Sequence, residues 1–186
     1  MSAVNEIPKI QSSSTNPKRQ VLTILGSTGS IGTSTLDVVS RHPELFTVFA
    51  LTGARKVELM FEQCVRFKPT YALMVDESAA TRLRDLLKPT DLKTQVISGS
   101  KALDELAAHP SVDTVMAAIV GAAGLSSCLA AARAGKRLLL ANKEALVVGG
   151  DLFLSQVQSG GAKLLPIDKL RRVSVGSKIE TLYRKT

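Results

Sequence analysis

Three glycines spaced three residues apart follow a short apolar run near the start of this sequence. Gly26, Gly29 and Gly32 come after Val21–Leu25 and run into Ser34–Val39, which has the apolar spacing of a helix. In a strand–turn–helix unit, such glycines permit a tight turn, close approach of the backbone to phosphates, and close packing of helix on strand. The N–H groups and positive dipole at the helix start then face an anion. The pattern therefore predicts a socket for a dinucleotide pyrophosphate.

The glycine motif also has a plainer interpretation. Its spacing is G-x-x-G-x-x-G, which departs from the G-x-G-x-x-G spacing that is usual for NAD. On this motif alone, an ordinary glycine turn between a strand and a helix, with no ligand, stays open as the alternative.

Basic residues stand where a NAD-binding chain carries an acid. In such chains an Asp or Glu about 20 residues beyond the glycines binds the ribose 2′-hydroxyl. Here the corresponding stretch, Leu51–Lys56, contains Arg55 and Lys56 and has no acid before Glu58. A guanidinium binds a phosphate through two parallel hydrogen bonds, so we expect NADP(H) rather than NAD(H). The alternative is that these two cations simply begin a solvated helix.

Two further segments follow predicted strands and carry groups that suit a ligand. Met116–Gly124 consists mainly of small residues, which would let a flat ring approach the backbone closely. Ala141–Glu144 brings together an amide, an ammonium and a carboxylate, and convergent polar groups are typical of a substrate site. A local interpretation is also open, in which Asn142 caps a helix that has Glu144 in its first turn. Capping and catalysis are compatible.

Strand and helix patterns alternate along the sequence and position these segments. Apolar runs predict strands at 21–25, 46–51, 71–75, 95–97, 112–116, 137–140 and 163–167. Helical patterns occupy the intervals, at 34–41, 59–67, 79–87, 102–108, 122–134 and 144–158. Several strands are apolar on both faces, which indicates a parallel sheet covered by helices. The predicted fold class is α/β, a Rossmann-like, doubly wound and mostly parallel sheet with helices on both faces.

The composition divides the chain into three regions. Residues 1–19 are polar and Ser-rich, which predicts a disordered lead-in, and residues 20–168 form the α/β domain. Residues 169–186 break the alternation and hold six basic residues against one acid, so this tail carries most of the net charge of +8. Solvated charge is the default interpretation of such a tail. With 4% aromatic residues and no Trp, no nucleic-acid partner is expected.

The two cysteines indicate structural thiols rather than a disulfide or metal site. Cys64 and Cys128 lie far apart, both in apolar helical contexts, and we expect them to be buried. No apolar run approaches the ~20 residues of a membrane helix, and the first residues lack the apolar core of a signal peptide. These features favour a cytoplasmic protein without a membrane partner.

Four motifs, in this order, resemble those of the 1-deoxy-D-xylulose 5-phosphate reductoisomerase family. They are Gly26–Gly32, Met116–Gly124, Leu139–Glu144 and Leu165–Asp168, within a resemblance that extends from about Gln20 to Asp168. The resemblance implies an enzyme of non-mevalonate isoprenoid biosynthesis. Such an enzyme rearranges deoxyxylulose phosphate and reduces the aldehyde with NADPH to methylerythritol phosphate, using a divalent cation (Mg²⁺ or Mn²⁺). The resemblance also implies a homodimer for the full-length enzyme.

The resemblance assigns roles position by position. Lys143 would contact the phosphorylated sugar substrate, and Asp168 would bind the metal ion. The NADPH contacts would come from the glycine turn, from the loop after the second strand and from the segment after strand 137–140: Gly26, Ser27, Thr28, Gly29, Ser30, Ile31, Gly53, Ala54, Arg55, Lys56, Asn142 and Glu144.

The match to the family ends abruptly after Asp168. There the family has Ser-Glu-His-Asn, whereas Lys169–Arg172 stands in this sequence. The substrate-binding serine falls on Lys169, and the second metal-binding acid falls on Leu170. One carboxylate does not satisfy Mg²⁺ or Mn²⁺, which take several oxygen ligands. No catalytic set is complete, so we expect a cofactor-binding fragment that is inactive alone.

Two other functional classes stay open. One is a non-enzymatic NADPH-binding or interaction module, whose exposed apolar surfaces would associate with a partner or a second copy. The other is a different NADP-dependent dehydrogenase, of the semialdehyde dehydrogenase type, which would require a Cys nucleophile near a strand end. Cys128 lies inside an Ala-rich predicted helix, which disfavours this class.

Overall fold

The computed structural model describes residues 19–119, 121–141 and 143–167. Asn142 and Asp168 therefore lie outside the described residues, as do most of the predicted lead-in and the whole basic tail. Within the described part, seven strands form one sheet in which every pair is parallel. They are β1 (Gln20–Leu25), β2 (Phe46–Gly53), β3 (Tyr71–Met74), β4 (Gln95–Ser98), β5 (Thr114–Ala117), β6 (Arg137–Leu140) and β7 (Lys163–Pro166).

Helices connect the successive strands. They are α1 (Ser30–Arg41), α2 (Val57–Phe67), α3 (Glu77–Leu87), α4 (Lys101–Ala108), α5 (Leu125–Arg133) and α6 (Lys143–Ser159). A 3-10 turn, Ala122–Gly124, precedes α5, and Gly150 interrupts α6 with φ 47° and ψ −137°. Within the described residues, no helix combines the length and the apolarity that crossing a membrane requires.

The strand order places a crevice beside β1. The order is β4-β3-β2-β1-β5-β6-β7. Strands β2 to β4 therefore extend the sheet on one side of β1, and β5 to β7 extend it on the other side. Right-handed crossovers put the first three helices on one face and the last three on the other. The packing agrees, because Leu36, Met60 and Leu83 share one apolar cluster while Leu106 and Phe153 belong to a second. The loops after β1 and β5 therefore diverge at the carboxyl edge.

Side chains of the central strand alternate between the two clusters. Leu22 and Ile24 of β1 pack in the cluster of α1–α3, and Leu25 packs in the other. The buried hydroxyl of Thr23 donates to the carbonyl of Leu106 at 3.2 Å, which satisfies a polar group inside the apolar layer. Burial on both faces explains why these strands read as continuous apolar runs.

The predicted fold class is confirmed, with an entirely parallel sheet in the described residues. Each predicted strand and helix is present, with shifts at the ends. The predicted helix 122–134 is divided into the 3-10 turn and α5. Cys64 and Cys128 are both buried, as predicted, and burial raises the pKa of each thiol to about 12.

Candidate functional site

The glycine turn lies at the point where the strand order reverses. It joins β1 to α1 beside the end of β5, and the Ala118 N–H donates to the Leu25 carbonyl at 2.9 Å. Gly26 has φ +80°, and a Cβ there would lie 3.0 Å from the carbonyl oxygen of Ala118. Both the backbone conformation and the nearness of the segment after β5 therefore require glycine at position 26.

Gly32 and Gly29 differ in what surrounds them. A Cβ at Gly32 would lie 2.3 Å from the carbonyl oxygen of Gly26 and 2.5 Å from the Cα of Ser27, so only glycine lets α1 pack this close. At Gly29 the nearest atom would be the Gly26 oxygen, at 3.4 Å, which is an ordinary contact. The predicted packing role of Gly32 is visible directly, whereas Gly29 is only lightly packed.

The start of α1 is suited to an anion. Gly29 is its N-cap, with φ −87° and ψ 170°, and it provides no side chain to cap the helix. The first-turn N–H groups of a helix have no intrahelical acceptor, and here they belong to residues that include Ser30 and Ile31. This turn contains no acidic residue. The positive end of the helix dipole is therefore not compensated locally.

A cluster of buried hydrogen bonds holds the glycine turn on the side that faces the protein interior. The Ser27 hydroxyl donates to Oε1 of Gln63 at 2.7 Å, and Nε2 of Gln63 donates to the Ser27 carbonyl at 3.0 Å. Thr52 also accepts from two main-chain groups of the turn, with its carbonyl from the Ser27 N–H at 2.8 Å and with its Oγ1 from the Gly26 N–H at 2.9 Å. The Ser27 side chain thus faces inward, and any contact of Ser27 with a ligand would come from its main chain.

The loop after β2 contacts the glycine turn from the side. Nζ of Lys56 donates to the carbonyl of Thr28 at 3.2 Å. A Cβ at Gly53 would lie 3.0 Å from Oγ1 of Thr28 and from Cε of Met60, so the two loops pack closely at this glycine. Ala54, Arg55 and Lys56 are all exposed. The structure therefore brings the glycine turn and the predicted phosphate-binding cations together at one edge.

An acid in the loop after β3 contacts Arg55. Nε of Arg55 lies 3.1 Å from Oδ2 of Asp76, which directly precedes α3. Oδ1 of Asp76 accepts from the Ser78 hydroxyl at 2.6 Å and from the Ala79 N–H at 3.0 Å. These two hydrogen bonds, with a smaller contribution from Arg55, hold the pKa of Asp76 below its ordinary value. Asp76 therefore stays ionised at neutral pH.

Sequence reasoning missed Gln63 and Asp76. Gln63 left a faint signal, since it lies beside the buried positions Met60 and Cys64 on an otherwise apolar face of α2. Asp76 carries the signature of a helix N-cap, which indicates its bond to Ala79 but not the one to Arg55.

Of the other predicted site residues, the structure describes some and not others. Lys143 and Glu144 occupy the first turn of α6, which follows β6 at the same edge of the sheet as the glycine turn. The predicted metal ligand, Asp168, lies beyond the described residues. Within residues 19–119, 121–141 and 143–167, no three His, Cys, Asp or Glu side chains come together as a metal site.

The fold and the site define a class, a Rossmann-like α/β domain with a crevice where its strand order reverses and with an acid-free helix N-terminus beside it. Comparison with known proteins is more specific. A family model described as 1-deoxy-D-xylulose 5-phosphate reductoisomerase matches residues 22–150. The chain belongs to this family, and the resemblance found in the motifs is confirmed.

Known members of the family show both the similarity and its extent. A 1-deoxy-D-xylulose 5-phosphate reductoisomerase from Aromatoleum aromaticum is 59% identical over 154 residues, which are 83% of this chain and 38% of that relative. A structure of DOX-P reductoisomerase in complex with NADPH, fosmidomycin and magnesium is 47% identical, with a TM-score of 0.77, and the match covers 80% of this chain and 36% of that one. The enzyme from Zymomonas mobilis in complex with NADPH is 40% identical, with a TM-score of 0.76 and coverage of 83% and 39%. This chain therefore spans less than two-fifths of the length of these relatives.

Proposed function

We propose that this chain binds NADPH at the carboxyl edge of its sheet, with the pyrophosphate on the glycine turn. The observation that carries the proposal is the meeting of an acid-free helix N-terminus with the cations of the loop after β2, through the contact of Lys56 with Thr28. A Cβ at Gly29 would meet one atom within 4 Å, the Gly26 oxygen, so a phosphate can approach the main chain there. Two family members with 40% and 47% identity have been solved in complex with NADPH, which supports the same ligand here.

The proposal assigns a role to each part of the site. Main-chain N–H groups of the turn bind the pyrophosphate, and Arg55 and Lys56 lie beside the 2′-phosphate of the adenosine, bordered by Gly53 and Ala54. Asn142 and Glu144 contact the rest of NADPH, and Lys143 contacts the substrate. The turn residues are Gly26, Ser27, Thr28, Gly29, Ser30 and Ile31.

The proposed reaction is that of the family, the conversion of 1-deoxy-D-xylulose 5-phosphate to 2-C-methyl-D-erythritol 4-phosphate. When bound, NADPH supplies a hydride to a carbonyl carbon. This chain contributes cofactor binding and the substrate contact of Lys143. Asp168 is the proposed ligand for the divalent cation, but Leu170 stands where the family resemblance implies a second acid. We therefore expect no turnover by this chain alone.

Equilibrium titration with NADPH and with NADH tests the cofactor assignment. NADPH is expected to bind more tightly than NADH, and Arg55→Ala is expected to weaken NADPH binding about tenfold by removing a charged hydrogen bond. NADH binding should not change. Arg41→Ala is the matched control, because it removes an exposed arginine from the far end of α1. Equal affinity for the two cofactors, or an unchanged NADPH affinity in Arg55→Ala, contradicts the proposal.

A turnover assay separates cofactor binding from catalysis. The chain is mixed with 1-deoxy-D-xylulose 5-phosphate, NADPH and Mg²⁺ or Mn²⁺, and NADPH absorbance is followed. No oxidation is expected beyond that of a sample without substrate. Metal-dependent oxidation of NADPH would refute the expected inactivity while leaving the cofactor assignment in place.

A non-enzymatic NADPH-binding or interaction module is the second candidate. It is favoured by Leu152 and Leu154 of α6, whose exposed fractions are 58% and 50%. Exposed apolar side chains of this size suit contact with another chain. A separately encoded chain that carries Ser-Glu-His-Asn and restores turnover when mixed with this one would favour a split enzyme over this candidate.

A further inference from the structure

Asp76 ties the loop after β3 to the loop after β2. The Val75 N–H donates to the carbonyl of Gly53 at 2.9 Å, and the Asp76 N–H donates to the carbonyl of Ala54 at 3.4 Å. These two contacts fix the main chain of Asp76 next to that of Arg55. The side-chain contact between the two residues is therefore built on a backbone that is itself held in place.

The two carboxylate oxygens of Asp76 have separate partners. Oδ1 accepts from Ser78 and Ala79 and so caps α3, and Oδ2 faces Nε of Arg55 at 3.1 Å. The cap holds the carboxylate in one orientation. Nε is the Arg55 atom that contacts Asp76, so the two terminal amino groups of the guanidinium keep donors for a phosphate. Those two groups are the pair that binds a phosphate in bidentate fashion.

The neighbouring acid does not compete for Arg55. Glu58, in the first turn of α2, lies 2.6 Å from the guanidinium of Arg82. The Arg55 side chain is 83% exposed, and a long exposed side chain loses conformational freedom when it binds a ligand. A partner that already restrains Arg55 reduces that loss.

We propose that Asp76 is a positioning residue, which orients the Arg55 guanidinium toward the 2′-phosphate and so increases the preference of the chain for NADPH over NADH. This inference rests on the proposed function. It opposes the simplest electrostatic expectation, in which a carboxylate near the site repels the phosphate. The capping bonds to Oδ1 and the contact with Arg55 offset that repulsion.

Asp76→Ser is the variant that tests the inference. Serine is a good N-cap and preserves the start of α3, but its side chain is too short to hold Arg55. NADPH affinity of the full chain is expected to fall about two- to fivefold, the range of an exposed ion pair, with NADH affinity unchanged. Asp76→Asn has one amide oxygen, which can serve either the cap or Nε but not both, and it is expected to lower NADPH affinity as Asp76→Ser does.

Two further measurements identify the cause. In the Arg55→Ala background, Asp76→Ser is expected to have no effect on NADPH affinity, because the residue that it positions is absent. Asp37→Asn breaks the exposed Arg41–Asp37 pair on α1 and is expected to leave both affinities unchanged.

Three outcomes overturn the inference: an unchanged ratio of NADPH to NADH affinity in Asp76→Ser, an increased ratio, or a loss that persists in the Arg55→Ala background. Failure of the proposed function is distinct, since it appears as a parent chain without NADPH preference or as an Arg55→Ala variant with unchanged affinity. In that case the inference is overturned with it. Thermal unfolding of each variant checks that α3 remains folded.

Discussion

At the scale of single residues, Gly32 makes the tightest approach in the site. Substitution by Ala places a Cβ 2.3 Å from the Gly26 carbonyl oxygen, a rigid backbone atom that a rotamer change cannot move. Overpacking of such a site costs about 3 kcal/mol, which exceeds the gain in helix propensity of ~1 kcal/mol. We expect Gly32→Ala to lower the free energy of unfolding by about 2 kcal/mol, as measured by urea denaturation, and to abolish NADPH binding.

Gly29→Ala is the matched control, because its Cβ would meet only an ordinary contact at 3.4 Å. Its backbone, at φ −87°, accommodates alanine. The fold should keep its stability within about 0.5 kcal/mol, while the added methyl group occupies the space proposed for a phosphate. NADPH affinity should therefore fall without loss of stability. A Gly32→Ala variant as stable as the parent, or a Gly29→Ala variant with unchanged affinity, would contradict this division of roles.

Residue types and spacing identify the parts of the candidate site that are local in sequence. The glycine turn with its three positions, and the pair Arg55 and Lys56, were found in this way. Gln63 and Asp76 were missed because their partners are distant: Ser27 is 36 residues from Gln63, and Arg55 is 21 residues from Asp76. Which side chains meet across loops depends on strand order and register, which no local pattern encodes.

At the scale of elements, α2 supports the glycine turn through one buried side chain. Gln63→Leu keeps a similar volume but leaves the Ser27 carbonyl without its side-chain donor. An unsatisfied buried acceptor costs about 1–3 kcal/mol. We expect a loss of about 2 kcal/mol in the free energy of unfolding, together with weaker NADPH binding, because the turn is no longer held on its interior side.

Glu62→Leu provides the comparison on the same helix. Glu62 precedes Gln63 and faces solvent, so the same replacement there should change stability by less than about 0.5 kcal/mol. Its NADPH affinity should equal that of the parent. If Gln63→Leu matches Glu62→Leu in both urea denaturation and NADPH titration, the buried link does not support the site.

Element types were predictable, whereas their ends depended on features that periodicity does not report. The apolar pattern predicts a helix from Ser34, whereas α1 begins at Ser30. The earlier start has no signal in the sequence, because the N-cap is a glycine, which has no capping side chain. A predicted continuous helix over 144–158 is interrupted in α6, where Gly150 adopts a positive φ. Glycine adopts both positive and negative φ, so the residue type alone does not predict the interruption.

At the scale of the whole molecule, the strand order and the handedness of the crossovers together decide on which face of the sheet each helix lies. When parallel strands are joined by right-handed crossovers, the connecting helices move to the other face of the sheet once new strands are added on the other side of the first strand. The return from β4 to β5 therefore puts α4–α6 opposite α1–α3 and opens the crevice beside β1. The alternation predicted a parallel, doubly wound sheet, but the point of reversal lies in the long-range pairing of β1 with β5. This pairing places the segment after β5 against Gly26.

Self-association of the chain is the prediction that belongs to this scale. Leu152 and Leu154 lie on α6 with exposed fractions of 58% and 50%. Each Å² of apolar surface that a complex removes from water stabilises it by about 25 cal/mol. Light scattering should show a mass above the 19.8 kDa of one chain, rising with concentration.

The double variant Leu152→Glu, Leu154→Glu should shift the mass toward the monomer, because burying two carboxylates is unfavourable. Val65→Glu, at a 46% exposed position on α2, should not. A parent chain that stays monomeric over the whole concentration range, or a Val65→Glu variant that dissociates as readily as the double variant, contradicts an apolar contact through α6.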